Sequence, residues 1–157
     1  MADEDWHFKE YGVTEEQMKD RSIDYDLFAC LTFNPQPFKL IDIDKVLAVF
    51  EDEHDSKEWH WVIRLDDNRY LYLRGGCNYT GWDCNSWAFT LFLKKSKYLI
   101  DAFSKLDIQW RNDEVYIYDT LVQQLKNGKG KTWRDKKNEE FGLSSILDTI
   151  QIPTISN

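Results

Sequence analysis

Between Asp44 and Leu73 apolar and polar positions alternate with a period of two, the spacing that sends side chains to opposite faces of a β-strand. Val46, Ala48 and Phe50 alternate with Lys45, Leu47, Val49 and Glu51. Because apolar residues occupy both sets, 44–51 predicts a strand buried largely on both faces. The alternation sharpens over 58–65, with Trp59, Trp61, Ile63 and Leu65 on one face and Glu58, His60, Val62 and Arg64 on the other, a half-buried strand. Asp66, Asp67 and Asn68 tolerate the positive φ of a tight turn, and Arg69 to Arg74 predicts the returning strand, Tyr70 and Tyr72 opposed to Leu71 and Leu73. Three sequential strands with short links make an antiparallel meander over residues 42–75.

Helical signals flank the meander. Thr14-Glu15-Glu16-Gln17 is a capping box that predicts a short helix over 15–20 with little apolar surface. Between Asp24 and Phe38 the apolar residues Leu27, Phe28, Cys30, Leu31 and Phe33 run into Pro35 and Pro37, which force an extended, irregular exit. Ala88 to Leu93 is too short for its period to decide its type. Ser96 is placed to cap a helix bearing Leu99, Ile100, Ala102, Phe103 and Leu106, and a second helix over 114–126 puts Val115, Tyr118, Leu121, Val122 and Leu125 on one side before Asn127-Gly128 ends it. Strands first and helices after predict an α+β domain whose meander packs against C-terminal helices. At 157 residues the chain makes a single domain spanning 1–157, with residues 1–13 and 151–157 expected to be loosely ordered ends.

Charge changes the picture of what the domain meets. Residues 1–55 hold 15 acidic and 5 basic side chains, and the rest hold 13 and 15, giving the net of -8. So acidic a front half opposes broad contact with a phosphate backbone and attracts a basic surface, although acidic excess also serves plain solubility. The segment 126–137 is the exception: six basic residues and one acid surround Trp133, so Lys129, Lys131, Trp133 and Arg134 form a candidate nucleic-acid patch or a solvated connection. The first residues are acidic where an export signal is basic and then apolar, no apolar run is long enough for a membrane span, and the Cys count of three is odd. These features predict a protein of a reducing cytoplasm.

The least ordinary stretch is Gly75 to Trp87, which packs three Gly, two Cys, two Trp and a Tyr into thirteen positions. Gly75 and Gly76 let the chain leave the third strand, and Asn78, Thr80, Asp83, Asn85 and Ser86 offer side chains that bond a loop's own backbone. A rigid loop of this kind either buries Trp82 and Trp87 over the sheet or presents Tyr79, Trp82, Asp83 and Trp87 to a partner. Cys77 and Cys84 are structural thiols, a redox pair, or, completed by His54 and His60, ligands of a metal or small molecule. Their spacing fits none of the short zinc knuckles, and no Cys-x-x-Cys opens a helix. His60 between Glu58 and Arg64 is placed as a cross-strand pair or a general base. The acidic run 51–55 lacks the Gly and Glu positions of a calcium loop.

Gly76-Cys77-Asn78-Tyr79-Thr80-Gly81-Trp82-Asp83-Cys84, preceded by the alternating Arg69 to Leu73, resembles the signature Gly-Cys-Asp-Tyr-Thr-Gly-Trp-Asp-Cys-Gln of a group of small bacterial and bacteriophage proteins to which no activity is assigned. The likeness covers about residues 42–88 and departs at Asn78 and Asn85, where that group has Asp and Gln; it implies a source and no chemistry. The residues favour a non-enzymatic module that binds a protein, as an inhibitor, immunity or accessory subunit would, without cofactor or metal. The alternatives are a Cys/His ligand or enzyme site beneath the 75–87 loop, and nucleic-acid contact through 126–137.

Overall fold

The computed structural model describes residues 12–52, 57–94 and 99–127. Among the described residues two short helices come first: α1, Glu15–Asp20, opened by the expected Thr14/Gln17 capping box, and α2, Tyr25–Phe33, whose N-cap Asp24 accepts the Leu27 N–H at 2.8 Å. Four strands follow, β1 (Ile43–Asp52), β2 (Lys57–Leu65), β3 (Tyr70–Cys77) and β4 (Ser86–Phe92), and then helices α3 (Leu99–Ser104) and α4 (Val115–Asn127). The strands form one antiparallel sheet in the order β1-β2-β3-β4, the α+β meander that the alternation predicts, extended by one strand.

Both faces of this sheet are covered, by different ends of the chain. Trp59, Trp61, Ile63, Leu65, Leu71 and Leu73 pack with Leu27, Phe28, Cys30 and Leu31 of α2 and with Met18 of α1. On the opposite face Leu47, Ala48, Val62 and Tyr72 pack with Leu99, Ile100 and Phe103 of α3 and with Ile117, Leu121 and Leu125 of α4. Two cores divided by one sheet explain why β2 is buried along almost its whole length, where half-burial was expected.

Residues 25–33, whose type the sequence left open, are a regular helix, and the chain leaves it through the irregular exit expected at Pro35 and Pro37. Three local expectations are corrected. Strict alternation in β1 breaks at two register shifts, which turn both Leu47 and Ala48 toward the α4 side. β3 does not stop at Arg74 but pairs onward through Gly75, Gly76 and Cys77 with Ala88, Trp87 and Ser86, so the ambiguous 88–93 run is an edge strand. On α4 the buried stripe runs through Ile117, Leu121 and Leu125, with Val115 exposed at the first turn. The proposed Ser96 cap lies outside the described residues, as does Gly128.

β3 can run straight only because Gly75 lacks a side chain. A Cβ there would lie 2.8 Å from Cys30 Sγ and 3.2 Å from the Trp87 carbonyl oxygen, so α2 sits directly on β3 main chain. Gly75→Ala is expected to destabilise the protein by about 1–3 kcal/mol, the usual range for overpacking. Cys30→Ala in the same chain should restore part of that loss, read as a shift in the urea midpoint.

Candidate functional site

The β3–β4 connection closes on itself. The Asn78 N–H donates to the Asn85 carbonyl at 3.2 Å, and the Cys84 N–H to the Gly81 carbonyl at the same length. The Asn78 side-chain oxygen accepts the Thr80 N–H at 2.9 Å and also the Thr80 hydroxyl. Gly81 takes φ +109°, which side-chain-bearing residues rarely adopt. This is the self-bonded loop foreseen from its Asn, Thr and Ser content.

The loop sorts its aromatic residues. Trp82 turns inward, its ring 5.2 Å from that of Trp59, and its indole N–H donates to Asp26 Oδ1 at 3.2 Å. Tyr79 stands outward with 83% of its surface exposed, and Asp83 is also exposed. Trp87, on β4, lies across Gly76: a Cβ at Gly76 would come within 2.9 Å of the indole. Its ring is stacked on that of Phe89, with centroids 6.2 Å apart and planes 16° apart, and the two remain 43% and 37% exposed. A cross-strand ring laid over a strand glycine protects the backbone that the glycine leaves bare.

Beneath this pair runs a chain of polar groups on the α3/α4 side, half-buried at Arg74 and Glu58 and buried at His60 and Tyr72. Arg74, whose guanidinium carbon is 6.0 Å from the Trp87 ring centroid, donates from Nη2 to both Glu58 and Glu114 at 2.7 Å. Glu58 also meets His60 Nε2 at 2.6 Å, and His60 Nδ1 meets the Tyr72 hydroxyl at 2.6 Å. Burial alone would raise the Glu58 carboxyl, but its bond to His60 and the Arg74 charge outweigh this and hold it below its usual range. Burial pushes the Tyr72 phenol well up. His60 and Tyr72 are both fully enclosed, so the inner end of this cross-strand network is sealed.

A second cluster gathers at the same end of the sheet but on the α2 side. Oxygens of Asp24, Asp26 and Glu51 lie within 4.8 Å of one another, and Trp59 and Trp82 donate their indole N–H groups to Glu51 and Asp26. These three carboxylates are the described residues whose chemistry and spacing suit a hard cation. Asp24 is exposed on one side, but partial desolvation, opposed by the Leu27 N–H and reinforced by the charges of Asp26 and Glu51, pushes its pKa up to about 6.

The sequence-derived ligand set is dispersed. Cys77 is buried with Cys30 in the core on the α2 side, His60 lies on the other side of the sheet, and Cys84 is exposed. Burial pushes the Cys30 thiol up to about 12 and raises that of Cys77 as well. His54 falls outside the described residues, and so do Lys129, Lys131, Trp133 and Arg134. Phe89, Arg74, Glu114, Asp24 and Asp26 were not singled out from the sequence, and Glu51 was weighed for a cation only within the acidic run 51–55. Phe89 carries a signal, since it shares parity with Trp87, but only the strand assignment of β4 makes that parity meaningful.

Comparison of the chain with known protein families, with curated proteins and with solved structures finds no match in any of the three. Function therefore has to be argued from the geometry.

Two measurements probe this site. A carboxyl with a raised folded-state pKa binds its proton more tightly folded than unfolded, so stability falls as pH rises from the ordinary carboxylate range through about 6. Asp24→Asn, which retains a good N-cap, should remove this decline when urea denaturation is compared at about pH 5 and about pH 7. A thiol reagent should label Cys84 rapidly in the native protein and all three cysteines only in denaturant.

Proposed function

We propose that the protein is a non-enzymatic binding module that engages another protein through the aromatic surface of β4 and its loop, with Trp87, Phe89 and Tyr79 as anchors. The observation that carries this reading is the stacked Trp87–Phe89 pair. Trp87 lies over Gly76 and beside Arg74, and Phe89 stacks on Trp87 and meets the Tyr72 ring edge-on, yet over a third of each faces solvent. Rigid exposed aromatics bury large area on contact at little entropic cost, and they dominate the energetics of protein interfaces. Tyr79 at the loop tip and Asp83 beside it extend the surface to the acidic end of the sheet, which suits a partner carrying basic groups.

The disposition of the acid–base groups supports binding over catalysis. The imidazole and the phenol that could move protons are enclosed and bonded to each other and to Glu58. Trp82 and Trp59 occupy the space beneath the loop where a ligand site was considered. Among the described residues no helix is long and apolar enough to cross a membrane. Three free thiols fit a reducing cytoplasm. A small module with one adhesive surface of this kind suits an inhibitor, immunity or accessory subunit.

Affinity capture from the source cell, repeated with Trp87→Ala and Phe89→Ala, tests the proposal. The partner retained by the wild-type chain should be lost by at least about tenfold in each variant, as expected for interface anchors. Thermal unfolding should show that both variants are folded, and Lys19→Ala on the exposed side of α1 should capture normally. Equal capture by wild type and both aromatic variants would sink the idea.

A further inference from the structure

The two edges of the sheet are treated differently. Along β1, Gln124 of α4 donates from its amide to the Val49 carbonyl and accepts the Val49 N–H, both at 2.8 Å, and the Val46 N–H donates to the Arg21 carbonyl at 3.2 Å. The side chain and the loop stand in for a neighbouring strand, so this edge is closed.

β4 is the opposite case. The Leu93 N–H donates to the Tyr70 carbonyl and the Asn78 N–H to the Asn85 carbonyl, which fixes the phase of the β3–β4 ladder. Trp87, Phe89 and Leu91 direct their main-chain groups to β3, whereas Ser86, Ala88, Thr90 and Phe92 direct theirs outward. Side chains of the segment after α2 reach this edge: Asn34 donates to the Ser86 hydroxyl at 3.0 Å, and Gln36 donates to the Ala88 carbonyl at 3.4 Å and accepts the Thr90 hydroxyl at 2.9 Å. The donors stay open, since among the described residues no bond reaches the Ala88 or Thr90 N–H. The strand, Ser-Trp-Ala-Phe-Thr-Leu-Phe, carries no charge and no proline, the devices by which edge strands are ordinarily kept from pairing.

We propose that β4 pairs antiparallel with β4 of a second copy of this chain, joining two four-stranded sheets across a two-fold axis at Phe89. A centre at Phe89 overlaps all seven residues of the strand and sets Ala88 of each copy against Thr90 of the other, so the open donors and acceptors satisfy one another. On the α2 side the central pair, Ala88 and Thr90, is small, and at each end Ser86 of one copy meets Phe92 of the other. On the other side Phe89 meets its own counterpart and Trp87 meets Leu91, which makes one continuous aromatic platform. Charge at the ends of the strand favours this register: it brings the exposed Asp83 loop of each copy to the exposed Lys94 end of the other. The pairing exchanges the long Gln36 bond for strand bonds and acts through main chain, so it stands or falls separately from the partner reading.

Sedimentation equilibrium on the full chain across a dilution series tests it. The wild type should approach twice its 18.8 kDa chain mass. Thr90→Pro removes an outward N–H without touching the β3 ladder, and Thr90→Lys places a charge on the edge; each should give a monomer with unchanged circular dichroism. In the wild type, the Ala88 and Thr90 amides should exchange with deuterium more slowly as concentration rises. A wild-type monomer at every concentration, a dimer that survives either substitution, or exchange at these two amides that is independent of concentration would each overturn the proposal. Should either variant fail to fold, the wild-type exchange result decides.

Discussion

Two missing side chains on β3 set the arrangement of the whole molecule. Gly75 lets Cys30 of α2 rest on the strand from one side, and Gly76 lets the Trp87 ring lie across it from the other. Close approach on both faces at adjacent positions is what allows a helix to cover the first core while a neighbouring strand holds a flat indole at the surface. With α2 seated, Asp26 is in place to receive the Trp82 indole, and Trp82 in turn closes the loop over Trp59. The conspicuous glycine-rich stretch is therefore less a hinge out of the sheet than the place where the sheet becomes thin enough to be packed from two directions.

Charges inside this thin slab are paired across strands. Arg64 reaches Asp44 at 2.7 Å on the neighbouring strand, Arg74 ties β2 to the turn before α4 through Glu58 and Glu114, and the buried Lys45 donates to the Asp20 carbonyl at the end of α1. A one-residue slip of any strand would turn these groups to the opposite face and leave desolvated charge without its partner. The polar positions of the meander thus specify register while the apolar ones supply the driving force. His60 belongs to the first set, holding Glu58 and Tyr72 together across β2 and β3.

Much of this architecture was legible because period-two alternation survives wherever a strand has one strongly apolar face, as at Trp59, Trp61, Ile63 and Leu65. The Thr14 capping box and the α4 segment were legible for similarly local reasons. What escaped notice depends on contacts distant in sequence. Nothing near residues 25–33 says that their helix will cover the sheet, and nothing near Gly75 says that a sulfur 45 positions earlier will press against it. The fate of the cysteines was hidden for the same reason. Spacing suggested Cys77 with Cys84, but strand parity puts Cys77 in the core beside Cys30 and leaves Cys84 outside. The loop's aromatic residues divide similarly, since only the fold shows that Trp82 is interior and Trp87 exterior.

One side chain outside all these clusters decides how far such a sheet can extend. By holding both main-chain groups of Val49, Gln124 acts as a stopper on the first strand, so a strand added on that flank would have to displace it. If β4 pairs as proposed, a lamina blocked on its other side forms a closed pair and has no route to an endless ribbon. A single glutamine thus bears on whether this aromatic-rich chain remains a finite particle.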